Sequence, residues 1–360
     1  MRCYGCLKEI AKSLYYCPRC KNNLFDGKSV KPLNFDKTEF YKIRSEMSDK
    51  MSISGVQDKI SLSFNDSNEL VPINKDGRYI LKPIPRDHDS TINLEDIVQN
   101  EHLSMQISSQ IFKINTAHNA LIEFSDGELA YITKRFDYSL KGSEKKIVKV
   151  DQEDFASVLE YTSENNSKNY KYESSYEECA LKIKEVIAAY IPALEEFYKR
   201  IVLNYLIGNG DAHLKNFSII RDVNRTDYTL SPNYDILYTK YHLPKEEGVM
   251  GLELFKDYDT KAFGAMGYYT LEDFEVFAQM IGIKQKRLEK IYKDILTSQK
   301  QVYDLIDRSY MSKDAKDSYK ANYENRLRKC LFYYIESYPF RSFAQDTIKK
   351  YLWFLSHLGV

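Results

Sequence analysis

Four cysteines within the first 20 residues constrain this chain more than any other feature, because they form two doublets. Cys3 and Cys6 make the first doublet, and Cys17 and Cys20 make the second after ten intervening residues. A tight turn in each doublet lets two thiolates reach one ion, and two such turns form a closed tetrahedral Zn²⁺ site. Since a closed site has no open position for a substrate water, we expect a structural metal that folds a zinc ribbon over residues 1–31. The alternative is a set of free thiols or a redox pair.

Composition and charge exclude several classes of protein. The chain has 360 residues, with 52 basic and 52 acidic ones, so its net charge shows no sign of the phosphate contacts that dominate nucleic-acid binding. No stretch approaches the ~18 consecutive apolar residues of a membrane span, and the N-terminus lacks the apolar segment of a signal peptide. We therefore expect a cytoplasmic protein without membrane contact, whose length suits two lobes and an appendage.

A loop of small residues around Gly55 precedes a predicted strand. Ile60, Leu62 and Phe64 alternate with serines, which is the period of a strand with one buried face. Such a loop lets backbone amides approach phosphate groups, although a single glycine taken alone is more typical of an ordinary turn.

A lysine and a glutamate are predicted to pair in the next two elements. Lys82 lies among apolar neighbours in the predicted strand Tyr79–Pro83, and Glu101 is the charged member of an apolar stripe at helical spacing. A carboxylate on a buried helix face needs a partner. Pairing it with Lys82 reproduces the ion pair that positions ATP phosphates in protein kinases. The alternative is a surface glutamate on a slightly rotated helix.

Three polar residues follow a long predicted helix that ends at Gly208. Asp211 and Asn216 come before one predicted strand, and Asp235 follows the second strand of the same hairpin, so all three should lie at one end of it. Phosphoryl transfer needs an aspartate that accepts the proton of the attacking hydroxyl, and an Asn and a second Asp that hold Mg²⁺. Each residue alone would be an ordinary loop residue.

Five segments resemble, in order, the motifs of the HipA family of serine/threonine kinases: Ser54–Lys59, Tyr79–Pro83, Arg135–Asp137, Gln152–Phe155 and Gly208–Ser218. The resemblance covers about residues 50–330. It implies an α+β, two-lobed protein-kinase-like fold, with a small-sheet N-lobe over residues 32–140 and a helical C-lobe over residues 141–360. A further strand near Tyr131–Asp137 would lead into the hinge between the lobes.

The resemblance also implies ATP and Mg²⁺ as cofactors and assigns roles to residues. Asp211 would accept the proton, Asn216 and Asp235 would bind Mg²⁺, and Lys82 would contact the nucleotide. Serines matching Ser52 and Ser54 are autophosphorylated in relatives. The residues that would line the ATP site are Ser54, Gly55, Val56, Gln57, Asp58, Lys59, Lys82, Glu101, Lys134, Arg135, Phe136, His213, Leu214, Lys215, Asn216, Tyr234 and Asp235.

Members of this family are toxin kinases that phosphorylate aminoacyl-tRNA synthetases and are restrained by a DNA-binding antitoxin. The resemblance therefore implies a protein substrate, an antitoxin of the HipB type, and DNA contact through that antitoxin alone. About 50 residues precede the glycine loop, which resembles the shortened HipT kinases, where a separate HipS-like small protein replaces a missing subdomain. Lys134 stands where a hinge acid is common. The alternatives are a small-molecule kinase and a non-catalytic scaffold that docks partners through the ribbon.

Overall fold

A computed structural model of the protein describes residues 1–47, 58–86, 94–141, 146–221, 227–243 and 250–337. The predicted loop residues Ser52, Ser54, Gly55, Val56 and Gln57 lie outside the described residues.

An antiparallel sheet and one helix form the N-lobe. Helices α1 (Pro18–Phe25) and α2 (Lys37–Met47) precede this sheet. The strands are β1 (Ile60–Phe64), β2 (Leu70–Pro72), β3 (Tyr79–Lys82), β4 (Asn119–Glu123) and β5 (Leu129–Lys134). Within the described residues, the sheet has these five strands in the order β2-β1-β3-β5-β4. Helix α3 (Ile97–Gln110) packs on β4 and β5.

The cysteine segment packs against the edge of this sheet. The amide of Leu121 in β4 donates to the carbonyl of Tyr4 at 3.0 Å, and the amide of Leu33 donates to the carbonyl of Glu123 at 2.8 Å. The Tyr16 hydroxyl donates to the Leu121 carbonyl at 2.8 Å. Cys3 and Leu7 are fully buried in the same apolar core as the strands. The N-terminal segment is therefore fixed to the N-lobe along β4.

Two smaller antiparallel sheets follow the N-lobe in the part of the chain that the structure describes. Strands β6 (Tyr138–Lys141) and β7 (Lys146–Lys149) form a hairpin. Strand β9 (Ser218–Arg221) pairs with both β8 (Asp151–Asp154) and β10 (Thr229–Leu230). The hairpin predicted after Gly208 is thus confirmed, and it brings the segment after β10 back beside the segment before β9.

Helices make up most of the C-lobe. Helix α6 buries the predicted apolar stripe, including Phe197, Ile201 and Tyr205. It ends at Gly208, whose φ of +74° favours glycine. The helices are α4 (Phe155–Val158), α5 (Tyr176–Val186), α6 (Tyr190–Ile207), α7 (Thr239–His242), α8 (Lys261–Met266), α9 (Leu271–Met280), α10 (Gln285–Leu296), α11 (Gln299–Arg308) and α12 (Lys313–Ser337).

The predicted fold class is confirmed as a small sheet-based N-lobe joined to a helical C-lobe, with the four cysteines clustered at the N-terminus. Across the described ranges, every helix is too short or too polar to cross a membrane.

Candidate active site

A lysine bridges two carboxylates where the lobes meet. Lys82 Nζ lies 2.7 Å from Glu101 Oε1 and 2.7 Å from Asp235 Oδ1. Lys82 comes from β3 and Glu101 from α3, and both are buried. The Lys82–Glu101 pair expected from the sequence is therefore present. Asp235 comes from the segment after β10, so a single ammonium ties the two lobes together.

In this cluster one ammonium, that of Lys82, bonds two carboxylates, and the amine of Lys59 lies nearby. Burial and repulsion from Asp235 raise the pKa of Glu101 to about 7, although Lys82 opposes the shift. Lys82 lowers the pKa of the half-exposed Asp235. Burial lowers the pKa of Lys82, but the two carboxylates outweigh it and raise the pKa overall. Of the two carboxylates, Glu101 is the deeper one and therefore takes up a proton first as the pH falls, whereas Asp235 stays ionised to lower pH.

Asn216 and Asp235 present oxygen atoms suited to a divalent cation. Asn216 Nδ2 donates to Asp235 Oδ2 at 3.2 Å. Asn216 Oδ1 is buried and has no hydrogen-bond partner within the described ranges. Asp235 adopts φ +58°, an uncommon backbone conformation for a residue with a side chain. Carboxylate and amide oxygens are the ligands that Mg²⁺ takes in proteins, so these two residues fit Mg²⁺.

The loop that carries Asp211 is anchored at several points. The Tyr176 hydroxyl donates to the Ala212 carbonyl at 2.8 Å, and the Asp211 amide donates to Asn209 Oδ1 at 3.2 Å. A Cβ added to Gly251 would lie 2.5 Å from the Ala212 backbone, so only glycine fits beside the loop. These contacts fix the backbone of the loop at Asp211 and Ala212, and the Asp211 carboxylate is about half exposed.

Two aromatic side chains flank the Asp211 carboxylate. The Tyr172 hydroxyl donates a hydrogen bond to Asp211 Oδ1. His213 Nε2 lies 3.8 Å from the same oxygen, and burial lowers the pKa of His213. The rings of Tyr172 and His213 meet edge to face, with centroids 5.1 Å apart. At neutral pH, Asp211 therefore faces a neutral imidazole and a tyrosine hydroxyl.

The remaining residues predicted for the ATP site have varied partners. Lys134 Nζ bonds Asp26 Oδ1 at 2.6 Å and the Asn23 carbonyl at 3.3 Å, so its amine faces the N-terminal segment. Arg135 makes a bidentate ion pair with Asp137, in which Nε lies 2.9 Å from Oδ1 and Nη2 lies 2.6 Å from Oδ2.

Around the hairpin, the rings of Phe136 and Tyr234 pack with centroids 5.3 Å apart, and the Tyr234 hydroxyl donates to the Lys215 carbonyl at 2.8 Å. Lys215 pairs with Asp154 at 3.0 Å, and Leu214 is buried in the core.

Lys59 and Asp58 follow the glycine loop. Lys59 is partly buried, and burial together with the nearby Lys82 lowers its pKa. Asp58 Oδ1 lies 3.8 Å from Arg44 Nε.

The segment that delivers Asp235 is held by residues that sequence reasoning missed. Arg200, a fully buried arginine on α6, donates to the Ser231 carbonyl at 2.7 Å. The Asn233 amide donates to the Asn115 carbonyl at 2.7 Å, which joins the segment to the N-lobe. A charged residue inside an apolar helix was the available signal for Arg200. Tyr172 and Gly251 carry no comparable signal, because their partners are distant in sequence.

The four cysteines form a second cluster. Their sulfur atoms all lie within 4.8 Å of one another, and Cys6 Sγ is 3.8 Å from Cys17 Sγ. A tetrahedron with Zn–S bonds of ~2.3 Å has S–S edges of ~3.8 Å, so the four thiols fit a Zn²⁺ ion. A Cβ on Gly5 would lie 2.7 Å from Cys20 Sγ, so this turn requires glycine.

This cysteine cluster is bonded to the helix that carries Glu101. His102 Nε2 donates to the Gly5 carbonyl at 2.9 Å, and Gln110 Nε2 donates to the Cys6 carbonyl at 3.1 Å. On its other side, the Arg2 carbonyl accepts from the Tyr310 hydroxyl at 2.6 Å. The segment therefore contacts α3 in the N-lobe and the loop after α11 in the C-lobe.

Comparisons with known proteins identify relatives over most of the chain. The sequence model of the HipA-like C-terminal domain matches residues 51–303. A Haemophilus influenzae protein named "Putative kinase" is 28% identical over 324 residues, which cover 84% of this chain and 89% of that protein.

Two solved structures have a similar fold. A chain of the Shewanella oneidensis MR-1 toxin–antitoxin complex of HipA, HipB and operator DNA aligns with a TM-score of 0.56 and 17% identity, covering 84% of this chain and 71% of that one. The Helicobacter pylori proinflammatory kinase CtkA aligns with a TM-score of 0.52 and 16% identity, covering 79% of this chain and 91% of that one. At these identities the likeness is one of fold.

Proposed function

Because this chain belongs to the family of HipA-like C-terminal domains, we propose that it is an ATP-dependent serine/threonine protein kinase. The observation that carries the proposal is the joint placement of Lys82, Glu101 and Asp235, with Asn216 bonded to Asp235. Phosphoryl transfer needs a fixed cation for the phosphates and oxygen ligands for a metal, and this cluster has both.

Lys82 would orient the nucleotide. Its ammonium has three N–H donors, two of which bond Glu101 and Asp235. Glu101 would keep the amine in place while the bond to Asp235 is exchanged for a phosphate oxygen. The same exchange would release Asp235 Oδ1 as a metal ligand.

Asp211 would accept the proton of the attacking hydroxyl. The hydroxyl oxygen of the substrate forms a bond to the γ-phosphorus of ATP, the bond from that phosphorus to the bridging oxygen breaks, and ADP leaves with the electron pair. The proton passes to the Asp211 carboxylate. The anchored loop would keep that carboxylate aimed at the acceptor.

Mg²⁺ would be held by Asn216 Oδ1 and Asp235, and when bound it would supply positive charge to the phosphates. Zn²⁺ would be held by Cys3, Cys6, Cys17 and Cys20 as a structural ion. In this proposal, residues 1–31 are the zinc ribbon, 32–140 the N-lobe and 141–360 the C-lobe.

The proposed biological role is that of a toxin in a cytoplasmic toxin–antitoxin pair. The Shewanella HipA chain occurs in a complex with HipB and operator DNA, which supports a HipB-type antitoxin as partner here, with DNA contacted through it. An aminoacyl-tRNA synthetase is the proposed substrate, a HipS-like small protein is a further proposed partner, and Ser52 and Ser54 are proposed autophosphorylation sites.

The test is phosphate transfer from labelled ATP. The purified full chain and its Asp211→Asn variant are incubated with Mg²⁺, labelled ATP and a dephosphorylated bacterial lysate, and the products are separated into proteins and metabolites. We expect label on serine or threonine of a protein with the natural chain and none with the variant. Binding of Mg²⁺–ATP by both proteins, measured by calorimetry, is the control for folding.

Other outcomes decide against parts of the proposal. Label on a metabolite would make the chain a small-molecule kinase. An absence of Mg²⁺–ATP binding would refute the kinase proposal and favour a scaffold that docks partners through the zinc ribbon.

A further inference from the structure

The hydroxyl of Tyr172 bonds Asp211, the residue that would accept the proton of the substrate hydroxyl in the proposed mechanism. It donates to Asp211 Oδ1. Tyr172 ends a short 3-10 turn, Tyr170–Tyr172, and 39% of its surface is exposed. The Tyr172 side chain is therefore partly open to solvent while its hydroxyl bonds Asp211.

The fold holds Tyr172 in this position. Four residues later, Tyr176 is buried and bonds the Ala212 carbonyl, directly beside Asp211. The Tyr176 amide also donates to the Glu253 carbonyl at 2.9 Å. On the other side, the Tyr172 amide closes its turn onto the Asn169 carbonyl at 2.9 Å. The same segment thus contacts two neighbouring residues of the loop that carries Asp211.

The hydrogen bond from Tyr172 to Asp211 is the contact expected of a hydroxyl that accepts a phosphate group. A side chain that merely blocks the site needs bulk and no hydroxyl, whereas a hydroxyl bonded to the general base has its proton already directed to the group that must take it. Two nitrogen-containing side chains also lie close to Tyr172. Lys171 Nζ is 4.8 Å from the centre of the Tyr172 ring, and the rings of His213 and Tyr172 meet edge to face.

We propose that Tyr172 is an intramolecular phosphate acceptor, a modification site in the chain's own active site. This inference rests on the proposed kinase function. The Tyr172 oxygen forms a bond to the γ-phosphorus of ATP, the bond to the bridging oxygen breaks, ADP leaves with the electron pair, and the phenol proton passes to Asp211. The new phosphate carries a charge of about −1.5 to −2 and is repelled by Asp211, so the modified tyrosine leaves the acceptor position.

The experiment is phosphosite mapping over time on the full chain. The protein is first treated with a phosphatase, which is then removed, and Mg²⁺–ATP is added at several protein concentrations. The variants are Tyr172→Phe, Asp211→Asn and Tyr170→Phe. The last is the matched control, because it removes a hydroxyl from the same turn and leaves the Tyr172 hydrogen bond in place.

We expect one phosphate on Tyr172 in the natural chain and in Tyr170→Phe, and none at position 172 in the other two variants. The first-order rate should not change with protein concentration, since the transfer occurs within one molecule. Intact mass and peptide sequencing of the natural chain show whether Tyr172 is phosphorylated even if a variant fails to fold.

Three results would overturn the inference, each in a distinguishable way. If the natural chain binds Mg²⁺–ATP or releases ADP while Tyr172 stays unmodified, the acceptor role is wrong and the kinase function stands. If it neither binds Mg²⁺–ATP nor releases ADP, the kinase function is wrong and the acceptor role falls with it. A rate that rises with protein concentration would show transfer between molecules and contradict the intramolecular step.

Discussion

Replacing Glu101 with glutamine should remove a pH-dependent part of the protein's stability. Glu101 has a folded-state pKa of about 7 against an ordinary value of 4.5, because it is buried and shares Lys82 with Asp235. The folded protein therefore holds this proton more tightly than the unfolded chain. The contribution to stability is complete below about pH 4.5 and is lost as the pH rises through about 7.

The magnitude follows from the two pKa values. With 4.5 unfolded and about 7 folded, linkage predicts that the free energy of unfolding falls by about 2.5 kcal/mol between about pH 5 and about pH 8.5. Glutamine keeps an oxygen that can accept from Lys82 but has no proton to lose. The free energy of unfolding of Glu101→Gln, relative to that of the natural chain, should therefore rise by about 2.5 kcal/mol across this pH range.

Urea unfolding of both proteins at closely spaced pH values measures this difference. Glu164→Gln is the control, because Glu164 is exposed in a loop and its replacement removes the same charge from the surface. Its difference from the natural chain should stay flat over the same range. If the difference in unfolding free energy between Glu101→Gln and the natural chain is also independent of pH, Glu101 is ionised throughout this range and its pKa is not raised.

Three further predictions concern the metal sites and the Asp211 loop. Asp235→Asn should weaken Mg²⁺-dependent ATP binding in calorimetry by at least ~10-fold, about 1.4 kcal/mol, whereas Asp211→Asn should not; equal affinities would exclude Asp235 as a metal ligand. The natural chain should contain one zinc per molecule by elemental analysis, and Cys17→Ser should lose it and unfold ~4 °C lower, as for a loss of ~3 kcal/mol; an unchanged melting temperature would exclude a structural metal. Gly251→Ala should cost ~1–3 kcal/mol in urea unfolding and slow ADP release, because its Cβ would lie 2.5 Å from Ala212; natural stability and turnover would contradict the close packing.

The part of the site that could be predicted lies on regular elements. Lys82 and Glu101 could be predicted because each is a charged residue in an otherwise apolar pattern, one in a strand and one on a helix face. Buried charges of opposite sign are expected to pair, and these two do. The hairpin β9–β10 could be predicted from its two short strands, and its closure brings Asn216 to Asp235.

Other contacts depend on how distant segments pack, which periodicity does not encode. Tyr172 follows a polar stretch without a period and meets Asp211 across 39 positions. Lys134 was expected at the ATP site from the resemblance, and its amine bonds Asp26, a contact set by where α1 packs on β5. The cysteine doublets predict a metal site, but they do not show which surface the surrounding turns will cover.

The surface that the cysteine turns cover links the four cysteines to the cluster formed by Lys82, Glu101 and Asp235. His102, which bonds the first turn at Gly5, is the neighbour of Glu101 on α3. Since side chains one residue apart point about 100° away from each other on a helix, α3 can contact the cysteine turn and Lys82 at the same time. The Gly5 turn packs tightly against the Cys20 side chain, so a movement of Cys20 would be transmitted to this turn. Loss of a bound metal should therefore loosen the packing of the cysteine turns on α3 and, through α3, weaken the ion pair between Glu101 and Lys82. The ribbon would in this way contribute to nucleotide binding without touching the nucleotide.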